Sequence, residues 1–450
     1  MRASFTVAGW ARVFGAEGSE SASSLALAAD GDIVVAGSLV CESRADEDSC
    51  QQAFAARYSR DGLRRWIWIA GEGSSGVEAI WLETDGSVVL GGDFASTVDF
   101  DPRASHATLR AGRNTGLFRT RLTADGQHIA TSRLGRRDWT NPGTLEMRQR
   151  LPDGAMLVTS TRAARQGGRR VEVAVLSKLT PRGVLVWRRA FESLPESIVS
   201  IACVQTDGSM FVTGTFVANE YDPLSGFVSK LDPLGAVLWT RTLAGERGVR
   251  PTGAIPGRDG SVLVSGHFQG DFQIDGGSGV DAVRYVSSEN VFVMRLLSDG
   301  SRAWVDVAGG GFTTPGKLLM GPDGVVTLIP SFSGPFTVAT GQGAILRTPR
   351  QGGADFGAAI LRFSTDGDYI GALGLTGGTH PTIAAFDAAG ALVLAGSLAG
   401  AAESRFSDTE RHHDASGDDV DALVARIDPA ALSVASLDSE QTPLHPASHR

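Results

Sequence analysis

The chain has 450 residues, of which 42% are hydrophobic and 57 are glycine, so it can bury a large core and is rich in turns. The net charge of −9 argues against a nucleic-acid partner, since duplex nucleic acid requires a basic surface. No apolar stretch approaches the roughly 20 residues that span a bilayer, and the first ten residues lack the apolar core of a signal peptide.

The first part of the chain shows the elements that recur later. A tryptophan strand, AGWARVFGAEG (8–18), stands alone at the start. Four apolar runs follow, which we label strands A (SLALAAD), B (DIVVAGSL), C (AFAARYS) and D (LRRWIWIAG). An Asp-Gly pair lies between A and B and again between C and D, and this pair is a strong hairpin signal because glycine accepts the positive φ of the turn. Each repeat therefore predicts two hairpins and four strands.

The A–B unit occurs seven times, at intervals of 52 to 68 residues. Its last residues are Gly37, Gly92, Ser160, Gly214, Gly266, Pro330 and Gly396. The C–D unit recurs with it, although LTADGQHIATSRLG (122–135) and FSTDGDYIGALGLTG (363–377) lack the tryptophan. Four short strands in each period predict an all-β fold, a seven-bladed β-propeller of four-stranded antiparallel blades. We expect the D-strand tryptophans to fill the wedges between neighbouring blades.

The two ends of the chain predict how the ring closes. The last repeat ends after its C strand, in DALVARIDPA, whereas residues 8–18 form a D-type strand with no A, B or C before it. We expect this N-terminal strand, with Trp10, to complete the seventh blade. LSVASLD (432–438) is the competing candidate. The prediction is a single propeller over residues 1–438 and a flexible tail over 439–450.

Several motifs resemble the bacterial seven-bladed β-propeller repeat family of SBBP type. They are W-x-x-x-x-G, DG-x-x-x-x-x-G and DFDP, and the closest stretches are VSKLDPLGAVLW and GGDFASTVDFDP. The resemblance extends from about Trp10 to Asp428, and the third and sixth repeats depart from it at Ser160 and Pro330. It implies an exported or surface-associated protein, located outside the cell, in the periplasm or on the cell surface, and it implies no catalytic activity. The resemblance says more about the fold than about the function.

The long connections all leave the blades on one side, which we call the long-loop face; the tight turns form the short-turn face. Loops on a rigid scaffold often bind partners, so we expect a non-enzymatic binding or scaffold protein that holds a protein or a glycan there, as a subunit of a larger assembly. Trp139 is the candidate anchor, with Arg136, Arg137 and Asp138 beside it, because Trp and Arg are enriched at interface hot spots. The alternative is that Trp139 folds back over a blade edge.

Charge on the long-loop face is expected to be uneven. ESRADED (42–48) and the loop around residues 403–421 are acidic, whereas the second blade and the start of the third are rich in arginine. This distribution suits a partner with complementary patches, and ordinary solvated charge is the alternative.

Three further features carry candidate chemistry. Asp99 and Asp101 are candidate Ca²⁺ ligands because carboxylates two residues apart can share a hard cation, with loop caps as the alternative, and no other cofactor is expected. Cys41 and Cys50 are a disulfide candidate in an oxidising compartment, and Cys203 is expected in the core.

The alternative function is that of a propeller enzyme, glycan-cleaving or quinone-dependent, with carboxylates at the ring centre. Two carboxylates roughly 5–10 Å apart in a deep pocket would favour glycosidase chemistry.

Overall fold

The computed structural model describes residues 7–15, 20–40, 51–71, 73–103, 107–111, 116–134, 146–151, 155–180, 184–219, 222–275, 281–338, 344–347, 356–375, 378–399, 406–411 and 420–433. These residues form 35 strands and one short helix, so the predicted all-β class is confirmed.

The strands follow the repeats. The chain begins with β1 (Val7–Phe14). The first repeat contains β2 (Ser21–Leu27), β3 (Ile33–Val40), β4 (Gln51–Tyr58) and β5 (Arg64–Ile69). The second contains β6 (Ser75–Leu82), β7 (Val88–Phe94), β8 (Thr97–Asp99), β9 (Thr108–Arg110), β10 (Gly116–Leu122) and β11 (His128–Leu134). The third contains β12 (Glu146–Arg150), β13 (Met156–Gln166), β14 (Arg169–Leu179) and β15 (Leu185–Ala190). The fourth contains β16 (Ile198–Val204), β17 (Met210–Phe216), β18 (Ser225–Leu231) and β19 (Val237–Gly245).

The remaining repeats are longer. The fifth contains β20 (Val249–Pro256), β21 (Val262–Phe268), β22 (Phe272–Asp275), β23 (Asp281–Val283), β24 (Glu289–Leu296) and β25 (Arg302–Gly310). The sixth contains β26 (Thr313–Met320), β27 (Val326–Ser333), β28 (Pro335–Val338), β29 (Ala344–Arg347), β30 (Phe356–Phe363) and β31 (Tyr369–Gly374). The seventh contains β32 (Thr379–Phe386), β33 (Leu392–Ala399), β34 (Phe406–Arg411) and β35 (Val420–Ile427), and α1 (Pro429–Ser433) follows.

The main strands of each repeat pair as an antiparallel meander, which confirms the predicted four-stranded units. We name the sheets after their repeats: sheet 1 is β2-β3-β4-β5, sheet 2 is β6-β7-β10-β11, sheet 3 is β12-β13-β14-β15, sheet 4 is β16-β17-β18-β19, sheet 5 is β20-β21-β24-β25, sheet 6 is β26-β27-β30-β31 and sheet 7 is β32-β33-β35-β1. The Asp-Gly turns within the described residues fall where the sequence predicts them, and Gly31 and Gly62 adopt the positive φ of 87° and 83° that such turns require.

Sheet 7 takes its fourth strand from the start of the chain. β1 pairs antiparallel with β35, from Gly9 opposite Ile427 to Phe14 opposite Ala422. Residues 429–433 are helical, and residues 434–438 lie outside the described part of the chain. The strand beside β35 is therefore β1, and residues 432–433, the described start of the competing segment, belong to α1.

The D-strand tryptophans lie between consecutive sheets, as predicted. Trp66 of sheet 1 donates its indole N–H to the Ala124 carbonyl of sheet 2 at 2.9 Å. The α-carbon of Gly126 lies so close to the Trp66 ring that a β-carbon would come within 2.5 Å of it. The same pairing joins Trp10 to Gly62, Trp187 to Gly235, Trp239 to Gly300 and Trp304 to Gly367. Each tryptophan therefore packs on the turn glycine of the next sheet.

A cation near the end of strand C fixes the short-turn face. Arg57 binds Asp30 and Asp32 of its own A–B turn at 2.7 and 2.9 Å, and it donates to the Ala124 carbonyl of sheet 2. Arg295 does the same with Asp259 at 2.6 Å and with the Thr365 carbonyl of sheet 6 at 2.8 Å. These bonds hold the A–B and C–D turns of neighbouring sheets together.

Long connections between strands B and C fold back as additional strands instead of remaining open loops. β22 pairs with β19 of sheet 4, and β28 pairs with β25 of sheet 5. β34 pairs parallel with β1. The β8–β9 hairpin reaches the end of sheet 1, where Gly71 N–H donates to the Asp99 carbonyl at 2.6 Å. Much of the long-loop face is therefore ordered by backbone pairing.

Phenylalanines hold these additional strands in place. Phe272 of β22 packs on Phe268 and Phe292, with ring centroids 4.7 and 5.3 Å apart. In the second repeat, Phe100 follows β8 and packs on Phe94 and Phe118 in the same way, at 5.8 and 4.5 Å. The buried rings supply the apolar area that fixes each connection.

Candidate binding cleft on the long-loop face

The β13–β14 hairpin extends further than the other B–C pairs. Each of its strands has 11 residues, whereas strands B and C of the other sheets have seven or eight. Pairing continues without interruption from Met156 opposite Leu179 to Gln166 opposite Arg169. The tip is formed by Gly167 and Gly168, with φ of 57° and 84°, which only glycine adopts without strain. The outer part of the hairpin is exposed and carries four arginines: Arg162, Arg165, Arg169 and Arg170.

The connection from β15 to β16 packs against the outer half of this hairpin. Glu192 forms an ion pair with Arg162, and its carbonyl accepts a hydrogen bond from the Gln166 amide at 3.1 Å. Ser197 forms two hydrogen bonds with the hairpin backbone. Its N–H donates to the Glu172 carbonyl, and its hydroxyl oxygen accepts from the Ala174 N–H. The hairpin is thus bonded to this connection along its outer half.

A cleft of about 220 Å³ opens between the hairpin, this connection and the start of the B–C connection of sheet 4. Its lining residues are Gln166, Arg169, Val171, Pro195, Glu196, Val217, Ala218 and Asn219. Two of its walls are linked, because Val217 N–H donates to the Pro195 carbonyl at 3.1 Å. Glu196 has a φ of 48°, a left-handed conformation that costs about 1–3 kcal/mol for a residue other than glycine.

The chemistry of the cleft is mixed. Arg169 carries a fixed cation, Glu196 carries a carboxylate, and Gln166 and Asn219 carry amides beside the apolar walls. Small-molecule pockets usually enclose about 300–1,000 Å³, so this cleft is smaller than a typical substrate pocket. Its size and lining fit one anchoring side chain or one sugar unit of a larger partner.

The cleft lies where the B–C connection of the fourth repeat contributes no additional strand among its described residues. This connection, residues 217–224, is short. The ring of Phe227 is covered by Phe191 from the preceding connection, with centroids 5.5 Å apart. Phe191 therefore covers the apolar ring of Phe227, whereas the polar residues that line the cleft remain accessible.

The residues that the sequence predicts as anchors and as a disulfide cannot be placed relative to this cleft. Trp139, Arg136, Arg137 and Asp138 lie outside the described residues, as do Cys41 and Cys50. Cys203 is buried, as expected, and burial raises the pKa of its thiol to about 12. The cleft residues were missed by sequence reasoning, although MLVTSTRAARQGGRRVEVAVLSKL carried a signal: apolar alternation continues on both sides of a Gly-Gly turn.

The two candidate metal ligands occupy a tight turn. The Asp99 carboxylate accepts a hydrogen bond from the Asp101 backbone N–H at 3.0 Å, and Asp101 lies 3.5 Å from the His128 ring. Within the described ranges, no group of three or more His, Cys, Asp or Glu side chains is arranged to hold a metal ion. The hydrogen bond to Asp99 has the form of a loop cap.

Two carboxylates do approach each other near the junction of sheets 7 and 1. Glu20 and Asp421 both lie against the α-carbon of Gly15, and each is only 1% exposed. Glu20 accepts a hydrogen bond from Val40 N–H at 3.4 Å. Because both carboxylates are enclosed, this pair does not line an open pocket of the kind that glycoside hydrolysis needs.

Among the described residues, no helix has the length and apolar composition needed to cross a bilayer.

No family model matches the chain, and no curated protein matches it in sequence. Among solved structures, a protein of unknown function from Bacteroides caccae is 12% identical, with a TM-score of 0.31, and the match covers 75% of this chain and 93% of that one. A protein of unknown function from Dyadobacter fermentans is 10% identical, with a TM-score of 0.38 and coverage of 78% and 93%. Drosophila Semaphorin 2a is 8% identical, with a TM-score of 0.37 and coverage of 93% and 75%. Likeness at this level carries no argument about the present chain.

Proposed function

We propose that the seven sheets are the blades of a seven-bladed β-propeller that β1 closes into a ring. Contacts at the junction of sheets 7 and 1 support closure. β2 packs against β32, β33 and β35, and Trp10 of β1 donates to the Arg60 carbonyl of sheet 1 at 2.9 Å. Thr382 of sheet 7 donates its hydroxyl to the Ala22 carbonyl of sheet 1. Membership of the SBBP-type repeat family is part of the same proposal.

On this scaffold the protein acts as a non-enzymatic binding or scaffold protein that holds its partner on the long-loop face. The observation that carries the proposal is the β13–β14 hairpin with the cleft beside its outer end. Four exposed arginines lie on a hairpin that borders a small mixed cleft and is bonded to its surroundings along its outer half. A rigid basic projection next to an anchoring cleft is suited to recognition of a larger molecule.

The partner is a protein or a glycan that presents carboxylates to the hairpin. Guanidinium groups bind carboxylates in pairs of parallel hydrogen bonds, so arginine favours partners with acidic groups. A location outside the cytoplasm, in an exported or surface-associated assembly, follows from the family resemblance and belongs to the proposal.

Charge reversal on the hairpin tests this function. The bait is the full chain, immobilised and exposed to an extract of the source organism, with captured proteins identified by mass spectrometry and glycans tested on an array. Arg165 and Arg170 face each other across the hairpin, and we expect Arg165→Glu with Arg170→Glu to reduce capture at least tenfold. The matched control reverses two exposed arginines of sheet 1 near the short-turn face, Arg60→Glu with Arg64→Glu.

Equal loss of capture in both variants would mean that net charge, and not the hairpin, governs binding. Capture that is unchanged in the hairpin variant would contradict the proposal. Retention of a glycan but of no protein, lost on hairpin reversal, would identify the partner class as glycan.

A further inference from the structure

The outer strands of sheets 3 and 4 expose an unusual number of aliphatic side chains. Six of them lie at the start of these strands and in the adjoining turns, and we call them together the aliphatic patch: Val184, Leu185, Val186, Leu234, Val237 and Leu238, with exposed fractions of 62, 47, 54, 79, 42 and 57%. The two halves of the patch adjoin, because the Trp187 ring packs on Gly235 and the Arg189 Nε donates to the Gly235 carbonyl at 2.7 Å.

The corresponding positions in other repeats are more polar. The two residues before the D-strand tryptophan are Leu185-Val186 in sheet 3 and Val237-Leu238 in sheet 4. In sheet 1 they are Arg64-Arg65, and in sheet 5 they are Arg302-Ala303. The repeat architecture does not require aliphatic residues here, so the patch is a local property of these two sheets.

Among the described strands, none pairs with the outer edge of β15 beside the patch. β15 is the last strand of sheet 3 in the pairing order of the described residues. The outer strands of sheets 4, 5 and 7 carry the additional strands β22, β28 and β34. An edge strand that combines free N–H and C=O groups with exposed aliphatic side chains is suited to the addition of another strand.

The positive charge near β15 favours an acidic partner over a second copy of this chain. Residues 178–190, which include β15, contain four basic residues and no acidic one, in a chain whose net charge is −9. Arg188 is exposed on β15 itself. Pairing between two copies of β15 would bring Arg188 and Arg189 of both copies together, which disfavours self-association, whereas acidic side chains would complement them.

We propose that β15 is a docking edge for an extended segment of a partner protein in which aliphatic and acidic residues alternate. The aliphatic side chains lie on the patch, the acidic ones face Arg188, and the backbone adds to sheet 3 as a further strand. This edge lies at the outer rim, away from the cleft on the long-loop face, and the proposal does not depend on that site.

Labelled model peptides test the docking edge by fluorescence anisotropy. The probe is the peptide EVEIEVE, and its counterparts are KVKIKVK, which reverses the charge, and EVEPEVE, which interrupts the strand. We expect the acidic peptide to bind the full chain at least tenfold more tightly than either counterpart. Leu234→Glu and Val186→Glu should each weaken binding at least tenfold. Leu63→Glu is the matched control, since Leu63 is 68% exposed in sheet 1, and it should leave the affinity unchanged.

Three results would overturn the proposal. The first is absence of binding of EVEIEVE to the unmodified chain, and the second is equal binding of KVKIKVK. The third is a different occupant: dimers, or binding to phosphatidylglycerol vesicles, that disappear in Leu234→Glu while EVEIEVE does not bind. Melting temperatures of all variants, unchanged for substitutions at exposed positions, show that loss of binding is not loss of fold.

Discussion

At the scale of single residues, the contact between a tryptophan and a turn glycine connects one sheet to the next. The glycine serves two purposes at once. It adopts a positive φ in the C–D turn, and it leaves space for the indole ring of the preceding sheet. At Gly300, φ is 82°, and a β-carbon would lie 2.9 Å from the Trp239 ring.

Gly300→Ala should therefore destabilise the protein more than a turn glycine without a tryptophan above it. The matched control is Gly324→Ala, because Gly324 has a φ of 84° and has no atom within 4 Å of a β-carbon. Both variants lose about 1–2 kcal/mol of unfolding free energy through backbone strain, and Gly300→Ala loses about 1–3 kcal/mol more through overpacking. Urea unfolding measures the difference, and equal losses would mean that the tryptophan contact adds nothing.

Asp306 is a second residue from which a testable prediction follows, the dependence of stability on pH. It stands two residues after Trp304, where Arg12, Arg189 and Arg241 stand after other tryptophans. Burial raises the pKa of Asp306 to about 6, and the negative charge of Asp368 acts in the same direction. The folded state therefore holds this proton more tightly than the unfolded state, in which the pKa is close to its ordinary value of 3.8.

The sign of the pH dependence follows. Well below pH 3.8 the carboxyl is protonated in both states, and as the pH rises towards 6 the unfolded state ionises first, so stability falls. Asp306→Asn should remove this loss and raise the unfolding free energy above pH 6 by about 1 kcal/mol, a value already reduced for solvent screening at a half-buried site, and the gain should disappear well below pH 3.8. Thermal unfolding at several pH values tests this against the exposed-residue control Asp61→Asn. A gain that is constant with pH would contradict the raised pKa.

At the scale of elements, the additional strands are the main departure from a simple four-stranded repeat. β22 pairs with β19, which belongs to the preceding sheet, and the buried ring of Phe272 connects it to its own sheet. Such a strand joins two sheets at the long-loop face. It also reduces the number of loops on that face that are available to bind a partner.

Phe272→Ala should release β22 from sheet 5. Phe272 is 1% exposed, so truncation should cost about 3–5 kcal/mol if the strand stays bound, and less if it detaches locally. Hydrogen exchange of the amides of residues 272–275 distinguishes these cases, and we expect faster exchange there with little change in β20 and β21. Tyr285→Ala, at a 57% exposed position of the same connection, is the control. Unchanged exchange at 272–275 would show that pairing with β19 alone holds the strand.

At the scale of the whole molecule, the sequence repeats predicted the four-stranded sheets but not the additional strands that pair with them. Asp-Gly turns and alternating apolar runs act over a few residues, so strands A to D could be assigned from the sequence. The pairing of β22 with β19 could not, because it joins different repeats and rests on a four-residue strand. The cleft arises from three separate segments, and no local pattern shows that they meet. The Trp139 sector and the Cys41–Cys50 disulfide stay predictions.

The junctions between sheets are not all alike. At the position of the D-strand tryptophan, β11 has Ala130 and β31 has Gly371. The junction after sheet 6 has another connection, since Arg362 donates to the Leu432 carbonyl at 2.6 Å. The proposed closed ring would hold every sheet from both sides and so tolerate such uneven junctions, and the proposal therefore depends on closure by β1.

A disulfide between β1 and β35 tests that claim most directly. Ala11 and Ala425 are opposite each other in the antiparallel pair and are fully buried. In a background with Cys41, Cys50 and Cys203 replaced by alanine, Ala11→Cys with Ala425→Cys should oxidise to a disulfide, since paired residues lie within the span of one. The register-shifted pair, Ala11→Cys with Leu423→Cys, is the control. We expect faster migration of the oxidised chain on non-reducing gels and a melting temperature several degrees higher for the first pair only. Free, reactive thiols in the first pair, or equal bridging in the shifted pair, would contradict a ring closed by the N-terminal strand.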